Sequence, residues 1–318
     1  MQARLRFRIP AAALLVSAAA LLLPRGAAAG NEWGAEYFPN VPLTTQDGKV
    51  VHFYDDLLKG KAVAINLMYT HCSGSCPLET ARMVQVQKLL GDRVGKDVFF
   101  YSITIQPDRD PPEVLKAYSE RFHVQPGWLF LTGKMDDIKL IALKLGLSSL
   151  TDAGNKDGHQ PTLMVGNEAT GEWMRNSAVD NPRFLATSMM NFLDGFKKAK
   201  PLANNYADLR FKNVGRGEYL FKSRCSACHT IGRGDGVGPD LAGLATRRDR
   251  AWASRYIAEP DKMLAEGDRV ATALFAKYKN VSMPNLNLDP DDIAALLSLI
   301  EKTAAASSQR GSVTAAVR

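Results

Sequence analysis

The sequence predicts an α/β domain followed by an all-α domain. Its 318 residues exceed the usual length of a single domain. Up to residue 199, apolar β-favouring runs alternate with helical patterns, whereas residues 214–303 contain helical patterns, glycine-rich loops and no convincing strand. Residues 200–213 combine Pro201 with asparagines and mixed charges, which is typical of a linker. The small, polar residues 304–318 are predicted to form a disordered tail.

Residues 1–29 are predicted to be a secretory signal peptide. Three arginines occur in the first eight residues, an apolar run follows at residues 9–23, and three alanines precede residue 30. An uncleaved membrane anchor is the alternative, but the apolar run is short for a bilayer span and Pro10 interrupts its start. The mature protein is therefore expected in the periplasm.

The net charge of +7 comes largely from this N-terminal segment. Four arginines and no acidic residue occur in residues 1–29, so the remainder carries a net charge of +3. That charge is too small to indicate nucleic-acid binding. No other apolar stretch is long enough to span a membrane, so the mature protein is expected to be soluble.

The first domain, assigned to residues 30–199, is predicted from alternating strands and helices. After an irregular arm, the strands are expected at residues 62–69, 97–105, 128–131, 162–165 and 172–175, and the helices at 77–90, 111–122, 136–145 and 183–198. Asp110 is expected to cap the helix at 111–122. This order, ending in a hairpin and a helix, fits an α/β sandwich of the thioredoxin class.

The four cysteines form two closely spaced pairs, Cys72 with Cys76 and Cys225 with Cys228. In an exported protein such pairs are often structural disulfides. A bridge across so few residues closes a very small loop and therefore stabilises the fold little. Chemical roles are favoured for both pairs.

Cys72 and Cys76 lie between a predicted buried strand and a predicted helix. Pro77 suits a first helical position, because its missing N–H costs nothing there. The positive end of a helix stabilises thiolate, which binds soft metals and attacks disulfides. Two thiolates suit Cu(I), and an added imidazole also suits Cu(II). The pair is therefore predicted to be a redox or copper site.

Four histidines of the first domain are candidates for a third copper ligand. His71 adjoins Cys72, but its ring would tend to point away from the neighbouring thiol. His52 and His123 lie in an early strand and at a helix end, where solvated or capping histidines are common. His159 ends the polar loop 148–158 beside the hairpin, so it is either the third ligand or a satisfied surface histidine.

The second domain, assigned to residues 214–303, contains the segment CSACH at residues 225–229. This is the c-type haem attachment spacing, in which Cys225 and Cys228 form thioethers and His229 binds the iron. A zinc site is the alternative, but this domain has no further cysteine or histidine to complete it. Met283 is expected to be the second axial ligand. Met263 competes for that role, but it lies in a predicted helix, where methionine usually packs in the core.

Four further features accompany this segment: Gly217-Glu218-x2-Phe221, Gly238-Pro239-Asp240-Leu241, Met283-Pro284 and a final helix at 290–301. With these features the second domain resembles class I cytochrome c over about ninety residues. The resemblance implies that Pro239 supports His229 and that an edge of the haem is exposed for electron transfer.

Three motifs follow one another in the first domain: Tyr69-Thr70-His71-Cys72-x3-Cys76-Pro77, Ser102-Ile103-x3-Pro107-Asp108-Arg109-Asp110-Pro111 and Asp157-Gly158-His159. With these motifs the domain resembles the SCO/SenC family over about 165 residues, from 36 to 196. The family has a thioredoxin-like fold and serves as a copper chaperone and thiol-disulfide protein in assembling the dinuclear copper centre of cytochrome c oxidase. The resemblance implies that Cys72, Cys76 and His159 are copper ligands.

The sequence departs from the SCO/SenC pattern at two positions. Ser73-Gly74-Ser75 stands between the cysteines, where the family usually has a proline after the first cysteine and an acidic third residue. Gln106 stands where the family favours aspartate. These changes are expected to loosen the thiol loop and to remove a carboxylate from the second motif.

Three functions are compatible with these observations. The first is a periplasmic copper chaperone whose single covalent haem c exchanges electrons with the copper or with a Cys72–Cys76 disulfide. Its partner would be the copper-bearing subunit of cytochrome c oxidase, a membrane-associated protein, or another periplasmic redox protein. The second is an enzyme, a haem-linked thiol-disulfide reductase or peroxidase. The third is a docking domain with its cysteines locked in a disulfide.

Overall fold

The computed structural model describes residues 33–72, 74–147, 161–193 and 214–315. The predicted signal peptide at 1–29, the polar loop that contains His159 and the predicted linker at 200–213 lie outside the described residues. Among the described helices, none combines the length and the apolar character needed to cross a bilayer.

In the described part of the first domain, seven strands form one mixed sheet in the order β2-β1-β5-β4-β3-β6-β7. Strands β3, β4 and β5 are parallel, and β6 and β7 form an antiparallel hairpin on the other side of β3. The strands are β1 (Pro42–Thr45), β2 (Val50–His52), β3 (Ala62–Met68), β4 (Val98–Thr104), β5 (Trp128–Gly133), β6 (Thr162–Asn167) and β7 (Glu172–Ser177).

Helices cover this sheet and bury its central strands. Every residue of β3 is buried, which explains why its sequence is an almost continuous apolar run and not an alternating one. A π-helical turn at Phe53–Leu58 precedes β3. The helices are α1 (Cys76–Leu90), α2 (Pro112–Arg121), α3 (Met135–Lys144) and α4 (Pro182–Leu193). Their bounds agree with the predictions to within a few residues where the structure describes them, and residues 194–198 of the last predicted helix lie outside the described residues. The predicted α/β thioredoxin-like fold is confirmed.

The prediction that Asp110 caps α2 is wrong. The helix begins at Pro112, and Pro111 occupies the cap position. A capping side chain needs backbone N–H donors in the first helical turn, and the two consecutive prolines remove donors there. The buried carboxylate of Asp110 instead accepts hydrogen bonds from the backbone N–H of Thr70, at 3.1 Å, and from the hydroxyl of Thr104, at 2.5 Å.

In the second domain, helices are joined by loops over residues 214–315, and this described range contains no strand. Its first helix approaches the last one closely, because a Cβ atom at Gly217 would lie only 2.3 Å from the carbonyl oxygen of Ala295. A π-helical turn at Phe221–Cys225 extends the first helix. The helices are α5 (Arg216–Leu220), α6 (Leu244–Arg247), α7 (Arg250–Ala258), α8 (Pro260–Ala265), α9 (Arg269–Lys277) and α10 (Pro290–Ala315). The all-α prediction is confirmed.

Helix α10 continues well beyond residue 301, where the sequence analysis ended it. Most of the stretch 304–318, which was predicted to be a disordered tail, is therefore helical as far as Ala315. The physical reason is helix propensity, since consecutive alanines at 304–306 continue a helix at almost no cost even without a periodic apolar face.

Candidate copper and haem sites

The thiol pair lies at the carboxyl end of β3, where the chain turns into α1. Cys72 is in the turn, and its backbone N–H donates to the carbonyl of Tyr69 at 3.4 Å. Cys76 is the first residue of α1, and both residues are buried as thiols. The predicted arrangement, with two thiols on a strand-to-helix turn at a helix N-terminus, is therefore present.

The two thiols differ strongly in acidity. A hydrogen bond from the Cys76 thiol, aided by the backbone N–H groups of Cys76 and Gly74, lowers the pKa of Cys72 to about 6. Burial raises the pKa of Cys76 well above its ordinary value, and the negative charge of Glu79 adds to that effect. At neutral pH, Cys72 is a thiolate with a thiol beside it. It is suited to bind a soft cation or to attack a sulfur atom.

Asp110 and Thr70 shape the turn that carries Cys72. Asp110 lies in the loop after β4, is fully buried, and contacts both the backbone and the hydroxyl of Thr70. The ring of His71 is engaged on the same side, with Nδ1 2.9 Å from Thr70 Oγ1 and 3.7 Å from Asp110 Oδ1. The sequence analysis did not identify Asp110 as a site residue, although it falls within the second SCO/SenC motif.

A chain of hydrogen-bonded, buried polar side chains extends from the sheet to helix α1, near the thiol pair. Trp128 Nε1 donates to Ser102 Oγ at 2.9 Å, Ser102 Oγ donates to Asn66 Oδ1 at 2.7 Å, and Asn66 Nδ2 donates to Glu79 Oε2 at 3.4 Å. Glu79 is buried in α1, one turn after Cys76. The sequence analysis missed this chain of side chains. Its signal was a small polar residue in the interior of each of two largely apolar strands, Asn66 in β3 and Ser102 in β4.

The third predicted copper ligand, His159, lies outside the described residues. Within the described ranges, no group of three or more histidine, cysteine, aspartate or glutamate side chains could hold a metal ion. His52 is exposed and lies 3.4 Å from Asp56, and His123 is exposed after α2. The copper role of His159 therefore stays a prediction.

The haem-attachment segment lies at the end of the π-helical turn Phe221–Cys225. His229 Nδ1 donates to the carbonyl of Pro239 at 2.9 Å, which assigns the proton to Nδ1 and leaves Nε2 unprotonated and able to bind a metal ion. Burial lowers the pKa of His229, which favours the neutral ring. A Cβ atom at Gly238 would lie 2.7 Å from His229 Cε1, so glycine is needed there. The support from Pro239 implied by the resemblance is present as this hydrogen bond.

An apolar cavity adjoins His229 and encloses about 870 Å³ of empty space, part of it open to solvent. Cys225, His229 and Met283 all line it, together with leucines and Trp252. Met263, by contrast, is 1% exposed in α8 and is not among the lining residues. Thiol, imidazole and thioether around one apolar cavity form the donor set that a c-type haem requires, so the residues present fit this group.

Comparisons with known proteins divide the chain in the same way. Residues 34–163 match the family model described as SCO1/SenC, and residues 214–304 match the model described as Cytochrome c. A SCO2-like protein of Rickettsia felis is 29% identical over 160 residues, which cover 48% of this chain and 73% of the relative. The SCO1 protein homolog of Bacillus subtilis is 35% identical over 101 residues, which cover 31% of this chain and 51% of the relative.

Two solved structures are similar to the first domain. A SCO1/SenC family lipoprotein from Bacillus anthracis str. Ames is 26% identical, with a TM-score of 0.40, and the match covers 48% of this chain and 93% of that one. Bradyrhizobium japonicum ScoI with copper bound is 25% identical, with a TM-score of 0.39, over 48% of this chain and 96% of that one. The chain thus carries a SCO1/SenC domain followed by a cytochrome c domain.

Proposed function

We propose that this protein is a periplasmic copper-binding, thiol-disulfide-active SCO/SenC-type protein with one covalent c-type haem for electron transfer. It acts in assembling the copper centre of cytochrome c oxidase. Its partner is the membrane-associated, copper-bearing subunit of that oxidase or another periplasmic redox protein. The domain bounds 30–199 and 214–303, the linker at 200–213 and the signal peptide at 1–29 belong to this proposal.

Copper is the cargo, and Cys72, Cys76 and His159 bind it. The observation that carries the proposal is the buried thiol pair at the N-terminus of α1. Two thiolates form a soft donor set that favours Cu(I), and one imidazole extends the site to Cu(II). Both thiols are nearly inaccessible to solvent, with Cys72 4% and Cys76 0% exposed, which favours release of a bound ion to a partner over release to solvent.

Cys225 and Cys228 would hold the haem by thioether bonds, and His229 and Met283 would bind its iron. A c-type haem in this cavity supplies one-electron transfer. One electron converts Cu(II) at the thiols to Cu(I), whereas reduction of a Cys72–Cys76 disulfide to the Cys72 thiolate and the Cys76 thiol consumes two electrons and one proton. The one-electron stoichiometry of a single haem matches the copper couple, so electron exchange with copper is favoured.

Copper titration of the reduced holoprotein tests this function. Competition with a Cu(I) chelator should show that Cys72→Ser and Cys76→Ser abolish tight binding, and the electron paramagnetic resonance spectrum of the Cu(II) form should change in His159→Ala. The exposed His123 provides a matched control, because His123→Ala should bind both ions like the wild type. Unchanged Cu(I) affinity in the cysteine variants would reject the copper site.

The second candidate is a haem-linked thiol-disulfide reductase or peroxidase. The unequal acidity of the pair favours it, because the Cys72 thiolate can attack a disulfide and the Cys76 thiol can then resolve the mixed disulfide. In that reaction the substrate gains two electrons, and Cys72 and Cys76 become the disulfide. Turnover of peroxide or of a model disulfide by the copper-free holoprotein measures this activity directly, and a rate at background excludes it.

A further inference from the structure

Helix α1 contacts the haem-attachment segment through two side chains that the proposed function does not use. Arg82 is only 1% exposed, which is rare for arginine. Its Nη2 donates to the main-chain carbonyl of Ser223 at 2.8 Å, and its Nη1 donates to Gln85 Oε1 at 2.8 Å. Gln85 Nε2 in turn donates to the main-chain carbonyl of Ser226 at 3.0 Å.

Both acceptors lie where the first helical segment of the cytochrome c domain ends. Ser223 belongs to the π-helical turn Phe221–Cys225, and Ser226 follows it. Carbonyl groups in the last turn of a helix lack partners within the helix and carry partial negative charge. A guanidinium and a carboxamide are suitable donors for them. The outer face of α1 is therefore complementary to the segment that carries Cys225 and Cys228.

Through these contacts the cytochrome c domain also covers the side of the SCO1/SenC domain where the cavity beside Cys72 lies. Cys72, Thr70 and Tyr118 line a cavity with about 810 Å³ of empty space, part of it open to solvent. Its opposite wall is made by residues of the cytochrome c domain, among them Phe275 and Ser282. Ser282 also lines a second, smaller cavity of about 480 Å³ that His229 and Met283 border, so one short segment separates the Cys72 cavity from the candidate haem site.

This interface is only partly satisfied in its hydrogen bonding. Arg82 Nε is buried and has no hydrogen-bond partner among the described residues. Burying the guanidinium costs free energy that its hydrogen bonds to Ser223 and Gln85 offset, so the net free energy that holds the domains together is small and depends on those bonds. Such an interface suits reversible docking.

We propose that Arg82 and Gln85 are positioning residues that clamp the cytochrome c domain over the Cys72 cavity. In the docked state a metal ion reaches Cys72 through the open part of the cavity, but a protein partner reaches it only after the cytochrome c domain undocks. This inference goes beyond the proposed function, because it assigns an interaction surface whatever ion or disulfide the thiols handle.

Size-dependent labelling tests the clamp in the reduced, copper-free holoprotein. Cys72 is reacted with a small maleimide and with a polymer-linked maleimide, and peptide mapping identifies the labelled cysteine. The ratio of the polymer rate to the small-reagent rate should be low in the wild type. It should rise about ten-fold in Arg82→Met, because a hydrogen bond from a charged donor is lost. Gln85→Ala should raise it less, and X-ray scattering should show a larger radius of gyration for both variants.

Lys88 provides the matched control, since it is exposed on the same helix. Lys88→Ala should behave like the wild type. A wild-type ratio near one, or an unchanged ratio in Gln85→Ala and in a folded Arg82→Met, would overturn the clamp. If circular dichroism shows that Arg82→Met is unfolded, the labelling ratio of Gln85→Ala alone decides whether the clamp exists. No step uses copper, so this test can fail while the proposed function stands, and the reverse is also true.

Discussion

The hydroxyl of Thr70 donates a hydrogen bond to the carboxylate of Asp110, forty residues further along the chain. The same carboxylate also accepts hydrogen bonds from the backbone N–H of Thr70 and from the hydroxyl of Thr104. Thr70 lies two residues before Cys72. Asp110 thereby ties the turn with the reactive thiol to the loop that follows β4.

Replacing this carboxylate should destabilise the fold. Asp110→Asn keeps the shape but turns one accepting oxygen into a donor that faces other donors. A hydrogen bond to a charged group contributes about 1.5–3 kcal/mol, so the free energy of unfolding should fall by about that amount. Urea unfolding of the holoprotein measures it. Asp108→Asn, at an exposed position of the same loop, should leave the unfolding free energy unchanged. Equal stability of the two variants would contradict the role of Asp110.

The alkylation rate of Cys72 should depend on pH in a way that reports its low pKa. Thiolate is the reactive form, and its fraction rises as the pH passes through the pKa. The rate in the copper-free protein should therefore increase around pH 6 and level off above about pH 7, whereas an ordinary thiol keeps gaining reactivity to about pH 8.5. Peptide-resolved labelling with iodoacetamide measures it.

Cys76→Ser provides the comparison for this pH profile. Its hydroxyl is a different donor from the thiol that lowers the pKa of Cys72, so the profile should shift. Gln106→Ala changes a residue of the second motif and leaves the donors to Cys72 in place, so its profile should match the wild type. A wild-type rate that climbs steadily to alkaline pH would show that Cys72 is an ordinary thiol.

Replacing Met283 and replacing Met263, the two candidate axial ligands, should have different effects on the protein. Met283→Ala removes the thioether that lines the cavity of His229, so the absorption band of methionine-ligated ferric haem should disappear. Met263→Ala creates a cavity in a packed position and should lower the free energy of unfolding by about 2–5 kcal/mol without removing that band. Optical spectra and chemical unfolding measure the two effects. Persistence of the band in Met283→Ala would exclude Met283 as the ligand.

Gly238→Ala should disturb the haem site through His229. The added Cβ would lie 2.7 Å from His229 Cε1, which forces the ring or the loop to move. Covalent haem content or the low-spin spectrum should therefore decrease. Gly215→Ala is the control, because a Cβ atom there meets nothing within 4 Å and φ is −56°. An unchanged spectrum in Gly238→Ala would contradict this prediction, because it would show that the loop shifts without displacing the His229 ring.

Much of the fold and of the site chemistry could be predicted because it depends on short stretches of sequence. The apolar run of β3 and the helix that starts at Cys76 were predicted within a few residues, since strand and helix periodicities are local. Asp110 was assigned the wrong role for the same reason. A local pattern cannot distinguish a helix cap from a carboxylate whose donors come from Thr70.

Residue spacing alone predicts that two thiols precede one helix and that Cys225, Cys228 and His229 form a haem attachment site. The burial of Arg82 and its hydrogen bond to the carbonyl of Ser223, 141 residues away, are visible only in the folded chain. Spacing along the chain sets which groups share a turn. A contact between a side chain and a distant backbone carbonyl depends on how the two domains pack. No sequence periodicity around Arg82 or around Ser223 encodes that contact.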